Sequence, residues 1–540
     1  MAEAAIAAVP PLQVARPPVN KWLVTISITF GTLMGTIDSS IVNVAIDHIR
    51  GSVGATLEEI TWVSTGFIIA NVMVMPLTAF LGRLIGQKRV YMFCLGLFVV
   101  GSALCGTANS LGSLVLWRFV QGLGAGALQP TEQAILRQTF PPEEQGMAMA
   151  LFGMAVMIGP AVGPTLGGYI VDNYPWPWIF YINVPVGILG LFMVSRYVHE
   201  PEDILRANRI AADHQRKNMD WWGISLMCIG LAALQYVLEE GQRDDWFQSR
   251  TITVLTFVAV FSLAAFVIQE LNAPVPAVNL KLFKDRVYLS GTIIGAIMFA
   301  MLMANMFLLP VFLQEDLGYT AMQAGFALVP RVGVMMVAVP IVGRFYNKVQ
   351  PRFIVAFGVI FFVIGAFFMS RFNLQTSSAG IYTAVCIQGL GFACLFVPLT
   401  TVALTNIPRD KMTDATGMNS LLRQIGGSIG LALFATTLSR YVKVAGASVG
   451  THVLATRPEV ASTMAMFKGG LMARGMDVVN AGSTSLMMMY GSVMRQASVL
   501  AFDKIFLLAG LLFLVVLPLL AFLKVEPAGG GSKQLHVEME

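Results

Sequence analysis

The sequence predicts an all-α integral membrane protein with fourteen transmembrane helices in a 6+2+6 order, the two sixes forming parallel six-helix halves. Three observations predict it. Of the 540 residues, 56% are hydrophobic and 12% charged, about half the charged share of an ordinary soluble domain. The apolar residues fall into runs long enough to cross a bilayer, which takes roughly 20 residues. Three short motifs recur in the same order. Gly82-Arg83 returns as Gly343-Arg344, Gln121-Gly-Leu-Gly124 as Gln388-Gly-Leu-Gly391 and Gly146-Met147 as Gly417-Met418, at offsets of 261, 267 and 271.

Residues 1–20 read as a Pro-rich tail with basic character at Arg16 and Lys21. The apolar run that follows is too long for a signal-peptide core, so no cleavage is expected. The first six-helix half takes 21–198, with spans near 22–46, 60–82, 90–108, 112–136, 146–171 and 179–197. A linker, 199–287, carries an inserted pair near 221–239 and 251–269. The second half takes 288–524, with spans near 288–312, 323–345, 353–370, 379–405, 415–438 and 505–523, a long outer loop over 439–504, and then a tail, 525–540. With the N-terminus inside, 21 of the 35 Lys and Arg fall in cytoplasmic segments and four in short outer loops. Three lie in spans and seven in 439–504, a loop long enough to escape the positive-inside rule. Both termini are therefore expected in the cytoplasm. Parallel repeats of this kind place a substrate site between the halves near mid-membrane.

The stretch Leu116–Leu136 is an apolar span that carries an arginine and a glutamate. At 100° per residue Arg118, Gln121, Gln129 and Glu132 share a face, and such a stripe belongs against a bundle interior or a wet cavity. Asp38 lies roughly 24 Å along span one and Arg118 roughly 27 Å along span four, each from its inner end, so the two are at similar depth. Proximity to arginine favours the carboxylate and burial opposes it, a balance that can change with water access. Asp38 is assigned the proton and Arg118 its tuning; a static ion pair that only orients helices is the competing reading. Thr32, Thr36, Ser39 and Asn43 form a polar stripe that either lines a path or holds helices together. Glu132 can take a cationic group or a second proton, or snorkel toward the cytoplasm. Arg331 and Arg423 lie in spans ten and thirteen, so anionic and zwitterionic amphiphiles stay open as cargo. With them, Asn43, Gln121, Gln129 and Glu132 are the candidate cavity residues. In span five Gly159, Gly163, Gly167 and Gly168, with Pro164, give a close-packing or hinge surface.

Several functions are excluded or disfavoured. No basic face suited to nucleic acid occurs, no phosphate-binding G-x-x-x-x-G-K-[ST] is present, and all five histidines fall outside the spans. The five cysteines lie in apolar segments without metal-ligand spacing. No cofactor or metal is expected. Eight methionines between 464 and 494 are soft ligands that suit copper(I), or flexible apolar contacts.

The chain resembles the fourteen-helix drug:proton antiporter branch of the major facilitator superfamily, the EmrB/QacA-like proteins. The resemblance rests on Ile37-Asp38-Ser39-Ser40-Ile41-Val42-Asn43-Val44-Ala45, the run Arg118–Gly126, Gly163-Pro164-Thr165-Leu166-Gly167-Gly168, Trp178-Ile-Phe-Tyr-Ile-Asn-Val-Pro-Val-Gly187, Gly241 with Trp246-Phe247, and Arg423-Gln-Ile-Gly-Gly-Ser428. It implies the major facilitator fold in a bacterial inner membrane and export of drugs or toxic amphiphiles driven by the proton gradient. It further implies a relay through Asp38 and Arg118 and docking to a periplasmic membrane-fusion adaptor and outer-membrane channel. The sequence departs from the family in the loop Gly82–Arg89, which lacks an aspartate, in Asp47, which replaces a proline, and in Glu132, where a small or neutral residue is usual. A facilitative carrier of one metabolite or siderophore-like compound is the alternative function.

Overall fold

The computed structural model describes residues 20–200, 205, 212, 219–273, 276–346, 348–454 and 456–520. Nearly all of both predicted tails and most of the charged connection 198–220 lie outside them. Among the described residues thirteen helices are long and apolar enough to cross a membrane. The fourteenth is α1, Lys21–Val53, whose Thr, Ser, Asn and Asp residues lower its mean hydropathy. The rest of the first half comprises α2 Leu57–Val74, α3 Gln87–Gly106, α4 Leu111–Thr139, α5 Gln145–Asn173 and α6 Trp178–Tyr197. The inserted pair is α7 Trp221–Glu240 and α8 Arg250–Asn272. The second half comprises α9 Arg286–Val311, α10 Ala321–Phe345, α11 Pro351–Met369, α12 Ser378–Val402, α13 Met412–Gly450 and α14 Val478–Leu514.

Local chemistry sets the boundaries. Asn20, Ser110, Asp220, Asp285, Thr320 and Asp477 each accept a backbone N–H at the start of a helix, satisfying a donor the helix cannot use itself. Proline interrupts several helices, two of them in the stretches that carry the repeated motifs. Pro76 separates α2 from its continuation Leu77–Ile85, and Pro130 lies just beyond the break at Ala127 in α4, because a proline supplies no N–H to the carbonyl four residues back.

The halves repeat one packing scheme. The first helix of each lies along the fifth (α1 on α5, α9 on α13), and the fourth lies against the second and third (α4 on α2 and α3, α12 on α10 and α11). Glycines make the first contact. A methyl group at Gly159, Gly163 or Gly167 would run into Thr36, Ser40 or Ile41 of α1, and one at Gly426 or Gly430 would meet backbone of α9. Across this seam Thr36 and Ser40 donate to the Ala155 and Gly159 carbonyls at 3.4 and 3.0 Å. Gly168 belongs to no such contact, since nothing lies within 4 Å of an added carbon there.

The two halves meet along two seams, α5 on α10 and α12, and α13 on α2 with its continuation and on the second segment of α4. The inserted pair covers the second. From α7, Glu240 accepts from Thr65 of α2 at 2.9 Å, and Gln235 donates to Ser428 of α13 at 2.7 Å. Beyond it, Trp246 donates to Thr436 at 3.0 Å, and Met227, Leu231 and Phe266 pack into one apolar cluster with Val72, Met75, Met418 and Leu421.

One segment differs from its expected form. Residues 439–504, read as a long loop, are mostly helix: α13 runs on to Gly450, a short helix covers Pro458–Ala473, and α14 begins at Val478 rather than near 505. Ser, Gly and Met alternate there without a long apolar run, so hydropathy alone stops the span early.

Gly163→Val is expected to lower stability by ~1–3 kcal/mol through overpacking, read as a lower midpoint of thermal unfolding in detergent. Gly168→Ala should shift the same measurement by less than about 0.5 kcal/mol.

Candidate functional site

The polar centre of the first half is built on three helices. Asp38 comes from the middle of α1, Arg118 and Gln121 from successive turns of α4, and Asn183 from α6. Asp38 is 0% and Arg118 1% exposed. The side chains predicted to share a depth meet: Arg118 Nη1 donates to Asp38 Oδ2 in an ion pair. Gln121 and Asn183 each donate to Asp38 Oδ1 at 2.9 Å. Arg118 also donates to Gln121 Oε1 at 2.8 Å and through Nε to the Val63 carbonyl at 3.0 Å, and its guanidinium lies 4.1 Å from the centre of the Phe67 ring. Asn183 donates in addition to Ser102 at 3.1 Å, which donates to the Phe180 carbonyl at 2.9 Å. The carboxylate therefore receives three donors, two of them neutral, and the arginine is held by acceptors and an aromatic face. A buried ion pair is tolerable on those terms, because the remaining lone pairs and N–H groups are satisfied.

Sequence reasoning missed Asn183 and Ser102. Their signal was faint: an amide and a hydroxyl in otherwise apolar spans. Gln121, assigned to a cavity, is instead a partner of both charges.

The second half contains a related arrangement. Arg331 of α10 donates to Gln388 Oε1 of α12 at 2.6 Å, and Gln388 donates to Asn305 Oδ1 of α9 at 2.9 Å. Arg423 of α13 is 4% exposed, donates to Ser420 at 3.3 Å and lies 5.7 and 5.9 Å from the rings of Phe152 and Phe396.

The other candidates are dispersed. Glu132 is fully buried in the second segment of α4, where Oε1 accepts from Thr29 of α1 at 3.1 Å and Oε2 has no hydrogen-bond partner among the described residues. The break at Ala127 separates it from the Asp38 network. Gln129 is half-buried and Asn43 exposed, the latter accepting from Ser64 at 3.2 Å. Of the hydroxyl stripe, Thr32 and Thr36 are buried and Ser39 is exposed.

Contacts across the halves gather at the end of the bundle where α1 begins. Arg83, after α2, donates to both oxygens of Asp414 at the start of α13 at 2.7 Å. Gln87 donates to Thr413 at 2.7 Å and Arg137 to the Leu404 carbonyl at 2.7 Å. Gly146 and Gly343 bring the α5 and α10 backbones together. The acid that the loop Gly82–Arg89 lacks is thus supplied by the opposite half. Asp414 stands three residues before Gly417 as Glu143 stands three before Gly146, so the internal repeat marked it.

The Major Facilitator Superfamily profile matches residues 28–431. The chain belongs to this superfamily. It is 33% identical over 519 residues to the multidrug export protein EmrB of Escherichia coli K12, covering 95% of this chain and 98% of that protein. It is also 33% identical over 513 residues to the fatty acid resistance protein FarB of Neisseria gonorrhoeae, covering 94% and 97%. These place it in the EmrB-type branch. Among solved structures, the proton:xylose symporter XylE superposes with a TM-score of 0.57 at 13% identity, over 92% of this chain and 95% of that one, which shows a shared fold.

Arg118→Met strands a buried carboxylate and is expected to cost ~3–5 kcal/mol. Asp38→Asn combined with Arg118→Met should recover part of that loss, so that a double-mutant cycle in thermal or denaturant unfolding gives a coupling of about 1 kcal/mol or more.

Proposed function

We propose that this protein is a proton-coupled secondary exporter of amphiphilic small molecules, working by alternating access in a bacterial inner membrane with both termini in the cytoplasm. The observation that carries this reading is the carboxylate of Asp38, sealed from solvent in the middle of α1 and held by Arg118, Gln121 and Asn183. A charge kept at that depth at real energetic expense marks a group whose ionisation is used. Relatives covering nearly the full chain carry the names multidrug export and fatty acid resistance, which supports amphiphiles as cargo.

The network suggests how a proton does mechanical work. With Asp38 ionised, its three donors tie α1 to α4 and α6. A proton on Asp38 cancels the attraction to Arg118 and turns one acceptor oxygen into a hydroxyl, so the donors no longer all fit. α1 then shifts, and α5 shifts with it, because the glycine seam leaves no slack between them. α5 runs along α10 of the other half, so the displacement reaches the interface between halves. Opening toward the cytoplasm breaks the Arg83–Asp414 pair and the Gln87–Thr413 and Arg137–Leu404 hydrogen bonds; re-forming them closes it. When the halves part, cargo meets the apolar side chains packed between α5 and α10, among them Met154, Met157, Val332, Met335, Met336 and Val339, which are able to adapt to varied shapes.

The outer hairpin fits the adaptor and channel partners. At 1.5 Å per residue α13 and α14 are roughly 58 and 55 Å long, well beyond the ~30 Å hydrocarbon core. The protruding part exposes Met466, Val479, Met487 and Tyr490, an apolar surface outside the bilayer that invites a protein partner.

Two outcomes test the reading. Asp38→Asn should reduce uptake of drug driven by an imposed pH gradient in inverted membrane vesicles to background; retained uptake would remove Asp38 from the coupling. Deleting 458–473 should lower the drug resistance of whole cells while leaving vesicle uptake intact, and resistance that survives the deletion would sink the adaptor assignment.

A further inference from the structure

Both halves carry one hydrogen-bonded triad, and only one copy contains an anion. In the first half an arginine donates to Gln121 Oε1 while the Gln121 amide donates to Asp38 Oδ1. In the second, an arginine donates to Gln388 Oε1 while the Gln388 amide donates to Asn305 Oδ1. Gln388 follows Gln121 by 267 residues and Asn305 follows Asp38 by the same 267. The arginine alone has moved, from α4 to α10, and Val385 occupies the place equivalent to Arg118.

The consequence is electrostatic. Asp38 neutralises Arg118. Asn305 has nearly the same shape and no charge, and its amide is spent on the Met301 carbonyl at 3.0 Å. Arg331 is 2% exposed, makes no ion pair among the described residues, and its Nε and Nη1 have no acceptor. A buried carboxylic acid without a counter-ion can neutralise itself by binding a proton. A guanidinium cannot lose one at physiological pH, so Arg331 keeps a full charge answered by one hydrogen bond to Gln388 and by the Phe392 ring 6.0 Å away, and its two open N–H groups suit an anion. Arg423, in the same half, likewise makes no ion pair among the described residues. Arg331 sits ten residues into α10, about 15 Å from the helix start, too deep for a lipid headgroup. Arg331 packs against α12 at Gly389 and Gln388, while Val332, about 100° further round the helix, lies among the methionines between α5 and α10.

We propose that Arg331 anchors the anionic group of the cargo, an amphiphilic monoanion such as a medium-chain carboxylate. This deepens the export reading and rests on it. In the first half the counter-ion belongs to the chain and exchanges a proton; in the second it arrives with the transported molecule.

The test compares two ligands with the same tail, octanoate and octyltrimethylammonium, by calorimetric titration of the full chain in lipid nanodiscs. The wild-type protein should favour octanoate. Arg331→Gln should lower the octanoate-to-ammonium affinity ratio about ten-fold or more, the worth of one hydrogen bond to a charged group, and Arg331→Lys should retain most of it. Asn305→Asp, which differs from the native residue by one group and supplies an internal anion, should lower the ratio as far as Arg331→Gln. It carries the test if the glutamine variant does not fold. A wild-type protein without preference for octanoate, or a ratio unchanged in Arg331→Gln and Asn305→Asp, overturns the anchor. No gradient enters this measurement, so its failure is distinct from that of the export reading, which falls if wild-type vesicles accumulate no drug under an imposed pH gradient.

Discussion

Charge inside an apolar bundle has to be answered by charge or by hydrogen bonds, and that single constraint organises this protein. Asp38 is answered by Arg118, Gln121 and Asn183, and the answer requires α1, α4 and α6 to converge at one depth. The convergence is possible because glycines let the neighbouring helices approach. Gly124 brings α4 onto the α3 backbone at Cys94 and Phe98, and Gly122 brings it onto α2 at Phe67. Polar chemistry and close packing are therefore one arrangement seen from two sides: removing the small residues would separate the groups that neutralise each other.

The internal repeat supplies a scaffold on which charge is distributed unequally. Helix order, glycine seams and the central glutamine recur in both halves. The ionisable residues do not. The first half holds a complete ion pair; the second holds cations set against amides, hydroxyls and aromatic faces. Ties across the halves are unequal as well, with the arginine of Arg83–Asp414 from one half and the carboxylate from the other. The repeated helix order accounts for the shape of the bundle, and a few buried positions account for the difference in charge between the halves.

Much of this was legible in the chain. Apolar runs of bilayer length gave the helices, and the offsets among three motifs gave the two halves, because burial in lipid leaves few alternatives. The Asp38–Arg118 contact followed from equal depth along two helices. What escaped did so for physical reasons. Asn183 and Ser102 are uncharged, and a sequence does not reveal which of many such residues point at a carboxylate. Asp414, Glu240 and Glu270 lie at the ends of spans, where hydropathy cannot distinguish a buried carboxylate from a solvated one, yet all three are buried. Residues 439–504 misled in the opposite direction, since a helix without a long apolar run loses the hydropathy signal without losing its hydrogen bonds.

The inserted pair gives the bundle two unlike flanks. Where α2 meets α13, two additional helices stand between the seam and the surrounding lipid. Where α5 meets α10, Val162, Val329, Met336, Val337 and Ile341 remain exposed, and among the described residues no further helix intervenes. The surrounding lipid consequently meets a double wall of helices at one seam and a single wall at the other.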